Sequence, residues 1–219
     1  MVMPLALSAS MAMRAPFSLS LPRWAICPLV GPTWGRVGLI DFDTEYGGDE
    51  VPRWGDEAFH EAIAQACLRV PGAWLQFHGD ETPDHCRKIA RTLGRRWIRA
   101  ARIPLETPAG EEPFDLLKYA QDYSDAQAVL LDAHVDGYGG GGKTFNWSQL
   151  PQNVNAHLVL SGGLNAANVT DGLRALRDRG LSLAVDVSSG VESAKGIKDA
   201  AKIHEFVRAV RAADAEHPL

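Results

Sequence analysis

The sequence predicts an α/β protein, a (β/α)₈ barrel whose N-terminal units are diverged or incomplete. Three observations carry that expectation. From residue 73 onward, five apolar strand-like runs alternate with helical patterns, the arrangement of a parallel sheet. Two consecutive runs break into small-residue turns, Ser161-Gly162-Gly163 and Ser188-Ser189-Gly190. Before residue 56 the alternation is missing. Right-handed crossovers allow a barrel or a doubly wound sheet. The twin turns favour the barrel, which grips phosphates after its last two strands. At 219 residues, one domain over 1–219 is the simplest count, with residues 1–56 an atypical segment.

Taken in order, residues 1–56 are poor in charge and punctuated by Pro4, Pro16, Pro22, Pro28, Pro32 and Pro52. Residues 37–42 read as a short strand and 46–49 as a turn. A helix is expected over 56–68, with Phe59, Ile63 and Ala66 on one face. Residues 73–77 form a strand ending in His78-Gly79-Asp80. Pro83 opens a helix whose Cys86, Ile89, Ala90 and Leu93 share a face. Strand 97–103 and helix 114–123 follow, then strand 128–132, which ends in the carboxylate of Asp132. Residues 137–143, Gly-Tyr-Gly-Gly-Gly-Gly-Lys, read as a lid-like loop over a pocket, with Lys143 as tether or anion contact. A plain surface loop is the other reading. The run 158–160 is a strand, Val169, Leu173 and Leu176 mark the next helix, and 181–185 is the last strand. A final helix from Asp199 puts Ile203, Phe206, Val207 and Val210 on one face.

Composition bounds the function. Apolar residues make up 46% and charged residues 22%, as in ordinary soluble proteins. A net charge of −5 argues against nucleic-acid or anionic-membrane partners. An anionic ligand must therefore be held by local amides or a few placed cations. Cys27, Cys67 and Cys86 are too scattered for a disulfide framework or a zinc site, so a cytoplasmic location and no metal are expected. Cys67 and Cys86 lie on apolar helical faces and read as core. No apolar run is long enough to span a membrane. Residues 1–22 lack the basic start of an export signal.

The chemistry concentrates at strand ends. Asp186 lies between valines, where a carboxylate is costly unless paired or functional. Ser188, Ser189 and Gly190 suit an anion-closing loop, as do Ser161, Gly162 and Gly163. Helix N-termini and exposed amides supply positive potential there without Lys or Arg. Asp132 sits where barrel enzymes place catalytic groups, although a carboxylate in that position also caps helices. His134, two residues on, faces either the same pocket or solvent.

Residues 75–81 (LQFHGDE), 130–132 (LLD), 138–147 (YGGGGKTFNW), 160–165 (LSGGLN) and 185–192 (VDVSSGVE) closely resemble the phosphoribosylanthranilate isomerase family. The blocks occur in the family's order and cover residues 73–213, which would be strands 4–8 with their helices. The resemblance implies a (β/α)₈ barrel in tryptophan biosynthesis. Its substrate would be N-(5-phosphoribosyl)anthranilate, rearranged to 1-(2-carboxyphenylamino)-1-deoxyribulose 5-phosphate without cofactor or metal. It implies Asp132 as general acid, with Gln76 and His78 lining the substrate. Gly141, Ser161, Gly162, Gly163, Asp186, Ser188, Ser189 and Gly190 would bind substrate or phosphate. The protein would be a monomer or homodimer. The family's base is a cysteine in Lys-Ile-Cys-Gly, and an arginine in Ser-Pro-Arg faces the substrate carboxylate. Here only Ile26-Cys27 and Pro52-Arg53 echo those motifs, so Cys27 is the candidate base and no arginine is assigned. Asn146 replaces the usual aspartate. Two explanations fit the N-terminal third: divergence, or a frame-shifted or wrong reading of it. Low charge, many prolines and absent periodicity favour the second. The alternative function is an impaired barrel remnant that only binds a sugar phosphate.

Overall fold

A computed structural model describes residues 63–64, 67–68, 72–105, 112–133, 144, 146–194 and 196–216, and the backbone of His134 and of three strands before residue 43. Those three strands are β1 (Ala6–Leu7), β2 (Ile26–Gly31) and β3 (Gly35–Phe42). Five more follow: β4 (Trp74–Phe77), β5 (Trp97–Pro104), β6 (Val129–His134), β7 (His157–Leu160) and β8 (Ser182–Val187). Together they close a barrel in sequence order, β8 pairing back onto β1. All neighbours from β3 to β8 are parallel.

The departure lies in β2, which runs antiparallel to both β1 and β3. Three residues separate β2 from β3. A parallel crossover needs about a dozen or more, so a link this short permits only a hairpin. Strands β2 and β3 therefore enter the barrel as a hairpin rather than as a strand–helix–strand unit. The expected strand over 37–42 lies within β3. The expected helix over 56–68 and the turn over 46–49 fall mostly or wholly outside the described residues, although Ile63 and Cys67 are described and buried.

The helices form because their apolar positions recur on one face. Helix α1 (Pro83–Leu93) starts at Thr82, whose hydroxyl accepts from the His85 amide, and ends at Gly94 with φ 60°. It buries Cys86, Ile89 and Ala90 against Leu75, Phe77 and Trp97 of the sheet. Helix α2 (Leu116–Asp122) is capped by Asp115. Helix α3 (Val169–Leu176) buries Val169, Leu173 and Leu176. A two-stranded ribbon, β9 (Glu192–Ala194) and β10 (Ile197–Lys198), precedes α4 (Ala200–Ala215). In α4, Phe206, Val210 and Ala213 are the buried positions. The expected Ile203 is only half-buried. Burying a side chain the size of Phe206 contributes about 1.5–3 kcal/mol.

Two apolar layers result. The outer one packs sheet against helices around Leu131, Leu160, Val185 and Phe206. The inner one fills the barrel with Trp74, Ile98, Ala100, Ala128, Leu130 and Val159, with Ala184 packed against it. Alternation along each strand sends successive side chains to opposite layers. Among the described residues, no helix is long and apolar enough to cross a membrane.

Candidate active site

The site follows from that alternation. Two residues beyond Trp74, Ala100, Leu130, Val159 and Ala184 stand Gln76, Arg102, Asp132, Ser161 and Asp186. Each has the inward parity of its strand and lies at the C-terminal end of the barrel, where apolar filling gives way to polar groups.

Asp132 and His78 meet there. His78 Nε2 lies 3.2 Å from Asp132 Oδ2, and the two side chains keep 20% and 26% of their accessible surface. Both are thus sheltered yet reachable from solvent. Gly162 closes the other side of the carboxylate. Its backbone has φ 75°, and a Cβ placed there would lie 2.6 Å from Asp132 Oδ1 and would collide with the Ala133 amide nitrogen. Glycine is required at that position both for the turn and for the close approach. Gly163 continues the left-handed turn at φ 64°.

Asp186 is not left unpaired, since Ser161 Oγ donates to its Oδ2 at 3.1 Å. That bond ties the end of β8 to the turn after β7. The second turn docks on the first directly, because a Cβ on Gly190 would overlap the Leu164 carbonyl oxygen. Ser188 is held by Lys198, whose Nζ donates to the Ser188 carbonyl at 2.9 Å and to Oγ at 3.1 Å. Lys198 also pairs with Glu192 at 2.8 Å. Asn168 brackets the start of α3, its amide donating to the Gly163 carbonyl at 3.0 Å. The turns carrying Ser161, Gly162, Gly163, Ser188, Ser189 and Gly190 are thus joined by the Ser161–Asp186 bond and by the Gly190–Leu164 contact.

Under His78 lies a rigid support. Arg99 Nη1 pairs with Glu81 at 2.6 Å and donates to the Phe77 carbonyl at 3.0 Å, and Nη2 donates to the Gly79 carbonyl at 2.7 Å. The Gly79 amide donates to Glu81 at 2.9 Å. Burial raises the Glu81 carboxyl above its usual range, and the Arg99 guanidinium offsets part of that rise. Tyr123 OH donates to the Glu81 carbonyl at 2.6 Å, and Arg99 lies over the Tyr123 ring at 4.8 Å. The segment carrying His78 is therefore fixed at five backbone or side-chain points.

The structure brings together Gln76, His78, Asp132, Ser161, Gly162, Gly163, Asp186, Ser188, Ser189 and Gly190. Gly141 and Lys143 fall outside the described residues, as do the side chains of Cys27 and His134. The backbone of Cys27 lies on β2 with Leu39 as its register partner, and Leu39 is in turn the partner of Trp74. That is two positions deeper in the barrel than Gln76. Cys67 and Cys86 are buried core thiols, and burial pushes the Cys86 thiol up to about 12. Arg102 escaped the sequence reading. The signal was its parity with Ile98 and Ala100, a cation on the inward row of a strand. Among the described residues, no group of three or more His, Cys, Asp or Glu side chains is placed to hold a metal ion.

The family model for N-(5′-phosphoribosyl)anthranilate isomerase matches residues 60–209. The chain is 58% identical over 156 residues to the N-(5′-phosphoribosyl)anthranilate isomerase of Methylibium petroleiphilum, covering 71% of this chain and 66% of that protein. It is 55% identical over 155 residues to the enzyme of that name from Leptothrix cholodnii, covering 71% and 64%. The crystal structure of phosphoribosyl anthranilate isomerase from Thermotoga maritima superposes with a TM-score of 0.52 at 30% identity, covering 72% of this chain and 70% of that one. The chain thus spans less than two thirds of the length of these two curated relatives, and its first 59 residues lie outside the family match.

Proposed function

We propose that this chain, which belongs to the N-(5′-phosphoribosyl)anthranilate isomerase family, catalyses the Amadori rearrangement of N-(5′-phosphoribosyl)anthranilate in the cytoplasm. The product is 1-(2-carboxyphenylamino)-1-deoxyribulose 5-phosphate, a step of tryptophan biosynthesis. The observation that carries the reading is the pairing of Asp132 with His78 beside the joined turns after β7 and β8.

The phosphate sits against the amides and hydroxyls of residues 161–163 and 188–190, as at the same place in other barrels. Asp132 gives a proton to the ribose ring oxygen as the C1′–O bond breaks, and the amine lone pair forms the Schiff base. A base then takes the C2′ proton, and its electrons make the enolamine. Ketonisation moves the hydroxyl proton away and protonates C1′, so no atom is gained or lost. His78 Nε2 lies 3.2 Å from Asp132 Oδ2, so a proton on Nε2 would hold the carboxylate in place. Gln76 walls the site, and no cofactor or metal takes part. Cys27, whose backbone lies on β2, is the candidate base. The protein works as a monomer or homodimer.

A second reading has its own observation: β2 runs against its neighbours where the parallel pattern of the other strands would continue. On that reading the chain holds a sugar phosphate and does not turn it over. Fluorescence turnover of phosphoribosylanthranilate by the purified chain separates the two. Loss of substrate fluorescence at a rate proportional to protein supports the isomerase. Tight binding of the product without turnover supports the remnant.

A further inference from the structure

We propose that Arg102 is a positioning residue for the acid, acting through His78. This rests on the isomerase reading for its catalytic consequence, although not for its geometry. Arg102 is the register partner of Asp132 across the β5–β6 pair, so both leave the sheet at the same height. Its Nη2 donates to the His78 carbonyl at 2.7 Å, and the side chain is half-buried. The imidazole of the same His78 contacts Asp132 Oδ2. A loop closes: Arg102 to the His78 backbone, His78 to Asp132, and Asp132 back to Arg102 through the sheet.

The loop matters because His78 stands one residue past the end of β4, at the rim of the barrel. Its backbone is fixed from two sides. Arg99 holds the carbonyls of Phe77 and Gly79 from the outer layer. Arg102 holds the carbonyl between them from the inner layer. Successive carbonyls thus alternate between two arginines of one strand, three residues apart and of opposite parity. That arrangement fixes the backbone position from which the imidazole reaches Asp132. Arg102 is also the one cation among the described inward residues of the polar layer, Gln76, Arg102, Asp132, Ser161 and Asp186. A guanidinium fork suits this task better than an ammonium, because its planar donors fix direction as well as distance.

The test uses Arg102→Lys, which keeps the charge and loses the fork, with Arg102→Ala as a second variant. The first readout needs no substrate. Long-range nitrogen–proton NMR follows the His78 ring, assigned by its loss in His78→Gln. The wild type is expected to show one fixed tautomer, and Arg102→Lys an averaged ring. The second readout is turnover: kcat falls about tenfold to a hundredfold, as for a misplaced catalytic group, while KM changes by less than about threefold, the pattern of an interaction used in the transition state. Guanidinium added to Arg102→Ala restores part of kcat. A His78 ring that is unchanged in Arg102→Lys overturns the proposal, as does an equal rise in KM with kcat intact. If the wild-type chain turns nothing over, the isomerase reading fails, and the ring spectra still decide whether Arg102 fixes His78.

Discussion

Gly162→Ala tests the geometry around Asp132, the proposed acid, more sharply than removing its carboxylate. The glycine has φ 75°, a conformation that costs an alanine about 1–2 kcal/mol. The new Cβ would also stand 2.6 Å from Asp132 Oδ1. Carbon–oxygen contacts relax at about 3.3 Å, so the carboxylate must retreat by about 0.7 Å. On the other side the Cβ meets the Ala133 amide nitrogen, which belongs to β6 and cannot move without the sheet. Crowding of this kind costs a further 1–3 kcal/mol or so. The total expected loss is about 2–5 kcal/mol, read from urea midpoints. A catalytic group displaced by a large fraction of an ångström loses roughly tenfold or more in kcat. Gly94→Ala is the control, since φ is 60° and a Cβ there meets nothing within 4 Å. It should cost only the conformational part, about 1–2 kcal/mol, with kcat unchanged. If Gly162→Ala matches Gly94→Ala in both stability and kcat, the carboxylate is not held where this argument places it.

Other outcomes follow from the same packing. Arg99→Met strands the Glu81 carboxylate in the core, at a cost of about 3–5 kcal/mol. Combining it with Glu81→Leu should recover most of the lost urea midpoint, since neither charge then remains buried. Cys67 and Cys86 should stay silent toward an aromatic disulfide reagent at neutral pH until the protein unfolds, because burial raises both thiols. Their folded values lie above the ordinary 9.0, so this contribution to stability is complete below pH 9 and fades toward pH 12 for Cys86. A thiol that reacts quickly in the native protein and disappears in Cys27→Ser would mark Cys27 as accessible. An unreactive Cys27 would count against it as the base.

Much of this architecture is legible before any coordinates. The run 158–160 followed by Ser-Gly-Gly, and the run 181–185 leading to Asp186, mark buried parallel strands with polar ends, because continuous apolar segments of that length need cover on both faces. Asp132 stands out as the charge that terminates such a run. What the residues conceal is pairing at a distance. Nothing local announces that Asp186 is met by Ser161, or that Asp132 is met by His78. Those partners come from strands whose separation is set by sheet order. Gly190 is a case in point: the sequence suggests close approach to an anion, while its immediate neighbour is the Leu164 carbonyl. Arg102 was overlooked for a different reason. In Trp-Ile-Arg-Ala-Ala-Arg-Ile-Pro both arginines look like interruptions of an apolar strand, and only layer parity shows one buried outward with Glu81 and the other turned inward. The N-terminal strands are hardest to read. Pro28 within β2 and the three-residue gap before β3 suit a hairpin rather than a repeat unit, and the usual strand–helix periodicity has no counterpart there.

One comparison decides whether Asp132 is the acid of an isomerase. Turnover of phosphoribosylanthranilate by Asp132→Asn is measured beside the wild-type chain, with affinity for a reduced, unreactive product analogue measured on both. The variant's kcat is expected to be lower by about a hundredfold or more, as for loss of a general acid, with analogue affinity nearly unchanged because the turns after β7 and β8 are intact. A variant that turns over at the wild-type rate would contradict it, and the proton would then have to come from elsewhere in the barrel.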